Sequence, residues 1–132
     1  MAIQLGVTLR NARINAVEST VGTSPKLQIR TGAQPANCAA ADSGTLLAEL
    51  TLPSDWANAA SSGASTLAGT WTGTASGTGT AAHFRLKDSA GTTCHMQGSV
   101  GQGTGDLSLD NTSIVSGQTV NVTTWTTTDG NA

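Results

Sequence analysis

Beyond residue 22 the apolar side chains recur at every second position in short runs cut by glycine, proline and small polar residues. This period of two restricts the fold more than any other feature, because it is the signature of half-buried strands. Leu27 and Ile29 alternate with Lys26, Gln28 and Arg30 up to Thr31-Gly32. Between Thr45 and Leu52 the residues Leu46, Ala48, Leu50 and Leu52 share one side, and Pro53 stops the run. Ala82, Phe84 and Leu86 alternate next, then Ser89-Ala90-Gly91, then Cys94 and Met96. Pairing Phe84 with Met96 and Leu86 with Cys94 predicts a hairpin with all four on the core face, its three-residue loop ending in a left-handed Gly91. That register sets His95 opposite Arg85 and His83 opposite Gln97 on the polar face. Leu107, Leu109 and a last run from Gln118 to about Thr127 complete six or seven strands.

The first 22 residues read differently. Leu5, Leu9, Ala12 and Ala16 follow steps of four, three and four, which predicts a helix over about residues 5–20, ended by Gly22 with Pro25 beyond. Ile14, Val17 and Val21 lie roughly opposite Leu5 and Leu9, so one apolar face is free to dock on the sheet and the other on a neighbouring subunit. Ser54 is placed to cap a short turn of helix carrying Trp56. Residues 61–81 are almost all Gly, Ala, Ser and Thr, and predict a weak strand near 66–72 followed by a flexible loop. The expected architecture is a single domain over residues 1–132, mainly β: an antiparallel β-sandwich or jelly-roll-like body (about 26–128) with one N-terminal α-helix.

Charge narrows the function classes. Only 11% of the 132 residues are charged, against roughly 25% in ordinary soluble domains. A surface this bland is easiest to understand if neighbouring proteins, other copies of the chain included, cover much of it. The six basic residues (Arg10, Arg13, Lys26, Arg30, Arg85, Lys87) form no run and the net charge is −2, so the footprint of a nucleic-acid binder is missing. No export signal or membrane-spanning stretch is visible, and a cytoplasmic setting predicts that Cys38 and Cys94 stay reduced, with Cys94 a small core residue beside Met96.

No catalytic set emerges. His83 and His95 are diagonal neighbours in the expected hairpin, but no carboxylate or thiolate completes a metal site, so neither a metal nor another cofactor is expected. The acids sit mostly in turns, where Asp serves local hydrogen bonding. GQGTGDLSLDN has glycines but neither the lysine nor the helix of a phosphate-binding loop. The three tryptophans carry more information. Trp71 shares parity with Leu67 and is read as core. Trp125 is out of phase with Val120 and Val122, so without a bulge it is either packed beneath the helix or offered to a partner; Trp56 is open in the same way. With the second helix face, the candidate partner contacts are Trp125, Trp56, Ile14 and Val17.

The segments GTSPKLQIRTGAQPANCAAADSGTLLAELTLPSDW, HFRLKDSAGTTCHMQGSV and LDNTSIVSGQTVNVTTW, which cover most of the chain, resemble small proteins encoded among the structural genes of tailed bacteriophages. The resemblance implies a non-enzymatic virion protein. A small β domain without long heptads fits a decoration or cement protein clamping the major capsid protein. A tail, connector or fibre-base component, or a carbohydrate- or receptor-binding fibre module using Trp56 and Trp125 as platforms, are the alternatives.

Overall fold

A computed structural model describes residues 3–129. Helix α1 (Val7–Val21) precedes β1 (Lys26–Arg30), β2 (Leu46–Thr51), β3 (Ala64–Thr66), β4 (Thr72–Thr74), β5 (Gly79–Thr80), β6 (His83–Lys87), β7 (Cys94–Gly101), β8 (Leu107–Leu109), β9 (Ser113–Ile114) and β10 (Thr119–Thr128). The main sheet runs β2-β1-β6-β7-β8-β10-β3, with β4 also on β10, while β5 and β9 pair separately. Its ladders are antiparallel except for the parallel pair β7–β8. The sheet curls until its ends meet: Ala48 of β2 bridges Ala75, and the Leu47 carbonyl accepts the amides of Ser76 and Gly77 at 2.8 and 3.1 Å. The fold is therefore mainly β and sandwich-like with an N-terminal helix, and the parallel β7–β8 pair is its one departure from the expected antiparallel sheet.

Two bulges decide which side chains enter the core. Between Val122 and Thr124 the β10–β8 register shifts, so that Val122 faces Leu109 and Trp125 faces Leu107. The extra residue restores inward parity, and Trp125 is only 3% exposed. It joins Trp56 and Trp71 in a cluster with ring centroids 5.3–5.9 Å apart and tilted planes, a geometry worth about 0.5–1.5 kcal/mol per pair beyond burial. The Trp71 Nε1 donates to the Trp56 and Ala68 carbonyls, so this buried indole leaves no polar group unmet. No helical turn forms after Ser54; Trp56 sits in an irregular segment beneath the end of α1.

The second bulge, between Leu86 and Lys87, resets the β6–β7 hairpin: Phe84 pairs with Gly98, Leu86 with Met96 and Lys87 with Cys94. The expected pairing of Phe84 with Met96 is thus displaced by two residues. A Cβ on Gly98 would meet Phe84 Cε1 and Asp106 Oδ2 at 2.8 Å each, so the phenyl ring occupies space that only glycine leaves open. The turn is longer than three residues, because Asp88 Oδ1 accepts the Thr92 amide at 2.9 Å and Gly91 takes φ +73° within it. Cys94 consequently leaves the core face.

Helix α1 docks largely through polar groups. Asn11, Asn15 and Glu18 accept the amides of Gly63, Ala60 and Ala57 at 2.8, 2.8 and 2.7 Å, and the Gly22 carbonyl accepts Trp56 Nε1 at 2.9 Å. Asn11, Asn15 and Glu18 on α1 and Gly22 just beyond it step by four, three and four, while their partners run the opposite way along residues 56–63. The irregular segment thereby satisfies amides that no strand partner takes.

Candidate functional site

The faces of α1 are reversed relative to the expectation. Ile14 and Val21 are buried and Val17 packs against the core, whereas Leu9 is 52% exposed. The sequence pattern offered two apolar stripes of similar strength, and the polar ladder of Asn11, Asn15 and Glu18 selects the one beside it. Of the four partner-contact candidates, Trp56, Trp125 and Ile14 are internal, so they are not available to a partner. Val17 alone reaches a surface groove, of about 330 Å³, lined also by Arg13, Ala16, Thr20, His95 and Met96.

The exposed large apolar side chains concentrate at the N-terminal end: Ile3 and Val7, 81% and 49% exposed, join Leu9, and only Val115 lies elsewhere among the described residues. Leu9, Arg13, Ala16 and Thr20 follow one flank of α1 at steps of four, three and four, leading from that end into the groove. Arg13 is tied down by Asp129 at 3.0 Å, which joins α1 to the end of β10. The candidate surface is thus the exposed flank of α1, apolar at Leu9 and Ala16 and polar at Arg13 and Thr20, with Ile3 and Val7 also exposed at the start of the helix.

A second cluster lies across β1 and β6. Asp42 accepts Arg85 at 2.6 Å, Lys87 at 2.7 Å and Arg30 at 3.2 Å, three cations on one carboxylate. Arg85, 2% exposed, also donates to the carbonyls of Asn37, Cys38 and Ala40. The hydrogen bond from Lys87 is the main cause that holds the Asp42 carboxyl below the usual range, with Arg85 adding to it against burial. Burial opposes the Arg85 charge, but the hydrogen bond to Asp42, the neighbouring Cys94 and the Asp42 charge together outweigh it and the guanidinium pKa rises. This arrangement folds the loop between β1 and β2 over the polar face of β6, which is why that strand is buried along its whole length.

The histidines separate. His83 pairs with Ser99, not opposite Gln97, and is buried with Nδ1 2.9 Å from the Gly32 carbonyl; since a carbonyl only accepts, Nδ1 carries the proton. His95 lines the groove beside α1. Among the described residues no group of three His, Cys, Asp or Glu side chains is placed to hold a metal ion. Asp106 accepts the amide and hydroxyl of Ser99, and Asp110 accepts Asn121, so both acids of the glycine-rich segment serve local hydrogen bonds. No helix among the described residues is long and apolar enough to cross a membrane. No known protein family, curated protein or solved structure matches the chain. The class defined by fold and surface is a mainly β domain with an N-terminal helix and large apolar side chains exposed near the start of that helix.

Proposed function

We propose that this chain is a non-enzymatic structural protein of a tailed-phage virion, a decoration or cement protein that binds the major capsid protein and adds interface area to the shell. The observation that carries the reading is the exposure of Ile3, Val7 and Leu9 near the start of α1, with Leu9 leading into the exposed flank of the helix. On a domain with 11% charged residues, such a flank gains affinity from buried area rather than from long-range attraction. The alternative of a sugar-binding fibre module has lost its platforms, since Trp56 and Trp125 are buried.

The test mixes the purified protein with capsid shells that lack it and reads occupancy at about 0.05 M and 0.5 M salt, a range over which screening changes several-fold. Full occupancy is expected at both, and Val7→Ser/Leu9→Ser should abolish it without changing Tm. Binding to tails in place of shells assigns the protein to a tail or connector. Loss of binding at high salt refutes the apolar interface.

A further inference from the structure

Cys38 and Cys94, 56 positions apart in sequence, bring their sulfurs to 2.7 Å. Cys94 is set there by the Leu86/Lys87 bulge, and Cys38 by the loop whose carbonyls Arg85 holds on both sides. Neither placement depends on a bond between the thiols, so the pair is pre-organised and needs little movement to reach an S–S bond of about 2.05 Å. A polar cleft of about 210 Å³, lined by both cysteines with Arg85, Lys87 and Thr92, opens beside them, and both cysteines are partly exposed.

We infer that Cys38 and Cys94 form a redox-responsive pair that closes to an intramolecular disulfide on exposure to a low-molecular-weight disulfide, clamping the β1–β2 loop to β7. The Cys94 thiolate attacks the reagent and releases one thiolate. The Cys38 thiol then loses its proton and attacks the Cys94 sulfur of the mixed disulfide, releasing the second. The protein dithiol is oxidised and the reagent is reduced to two thiols. In the reduced pair, burial, followed by the hydrogen bond with Cys94, pushes the Cys38 thiol up to about 11, so Cys38 is given the second step, where the Cys94 sulfur is already held against it, and closure is faster as pH rises because the thiolate is the nucleophile. Closure asks nothing of the virion reading and stands or falls separately.

The full chain, reduced and then incubated with oxidised glutathione, should lose the mass of two hydrogens, retain no glutathione and show no thiol titratable after denaturation. Its Tm should rise by about 5–15 °C, because the bond closes a long loop. Cys38→Ser should instead accumulate a stable glutathione adduct on Cys94. Two thiols still titratable in oxidised wild-type protein, a persistent adduct on it, or a disulfide-linked dimer would overturn the inference, as would a closed form that melts with the dithiol form.

Discussion

Replacing Asp42 by Asn keeps the shape of the side chain and removes the one negative charge on which Arg85, Lys87 and Arg30 converge. Removing one partner of a buried ion pair costs about 3–5 kcal/mol, because the remaining charge stays buried and uncompensated. Here the Arg85 and Lys87 side chains are almost fully buried, but Asp42 itself is 31% exposed and water screens part of the interaction. A loss of about 2–4 kcal/mol at pH 7 is therefore expected, a large share of the roughly 5–15 kcal/mol that holds a domain folded. Urea unfolding followed by tryptophan fluorescence reads it directly, since Trp56, Trp71 and Trp125 lie in the core.

The pH dependence gives the same reasoning a second check. The folded-state pKa of Asp42 is depressed. Its contribution is thus fully present above the unfolded value of about 3.9 and is lost as pH falls from there through the lower folded value. Wild-type protein should lose stability over that window more steeply than Asp42→Asn, and the two should converge at its acid end. Asp88, also depressed through its hydrogen bond with the Thr92 amide, titrates in both proteins and cancels in the comparison. A loss below about 0.5 kcal/mol at pH 7, the range of an ordinary surface substitution, or parallel acid limbs for the two proteins, would refute the account of this cluster.

Phe84→Ala should cost about 3–5 kcal/mol in urea unfolding, as expected for a buried phenyl ring. Gly98→Ala should cost about 1–3 kcal/mol by driving a methyl group into that ring, and much of the loss should return in Gly98→Ala/Phe84→Leu. Asn15→Ala and Glu18→Ala should each lose about 1 kcal/mol or more from an unmet amide, with hydrogen exchange rising at Ala60 and Ala57 respectively. Replacing both histidines should separate their environments: His95→Ala is expected to be silent in thermal melts, while His83→Ala should lower Tm measurably, since it leaves the Gly32 carbonyl without its donor.

The strands were legible where alternation is strict and local. Leu27/Ile29, Leu46 to Leu52 and Leu107/Leu109 all lie in observed strands or at their ends, and Gly22 ends the helix with its amide bonded to Glu18 as the stop signal implies. Parity failed where a strand holds one residue too many. A bulge leaves no mark on composition, so Trp125 read as outward and Cys94 as inward although the reverse holds for both. For Trp125 the signal was its own size: an indole out of phase with Val120 and Val122 has a large apolar surface to bury, and a bulge that leaves one residue unpaired is a local way to turn it inward.

The surface was less legible than the core for a related reason. Apolar pattern alone weighed Leu5/Leu9 against Ile14/Val17 on α1, and the decisive residues were polar. Asn11, Asn15 and Glu18 repeat at the helical period, which marks a face as surely as leucines do when the opposing segment has free amides to offer. Residues 56–63 are such a segment, too irregular to spend those amides on a strand partner. The same logic locates Arg85 and Asp42: a charged side chain alternating with Phe84 and Leu86 on a strand central to the sheet has to find carbonyls and a carboxylate, and the loop between β1 and β2 is the segment long enough to bring them. Once those polar residues have claimed their partners inside the chain, three of the four large apolar side chains left exposed among the described residues, Ile3, Val7 and Leu9, are near the start of α1, and the proposed capsid contact rests on them.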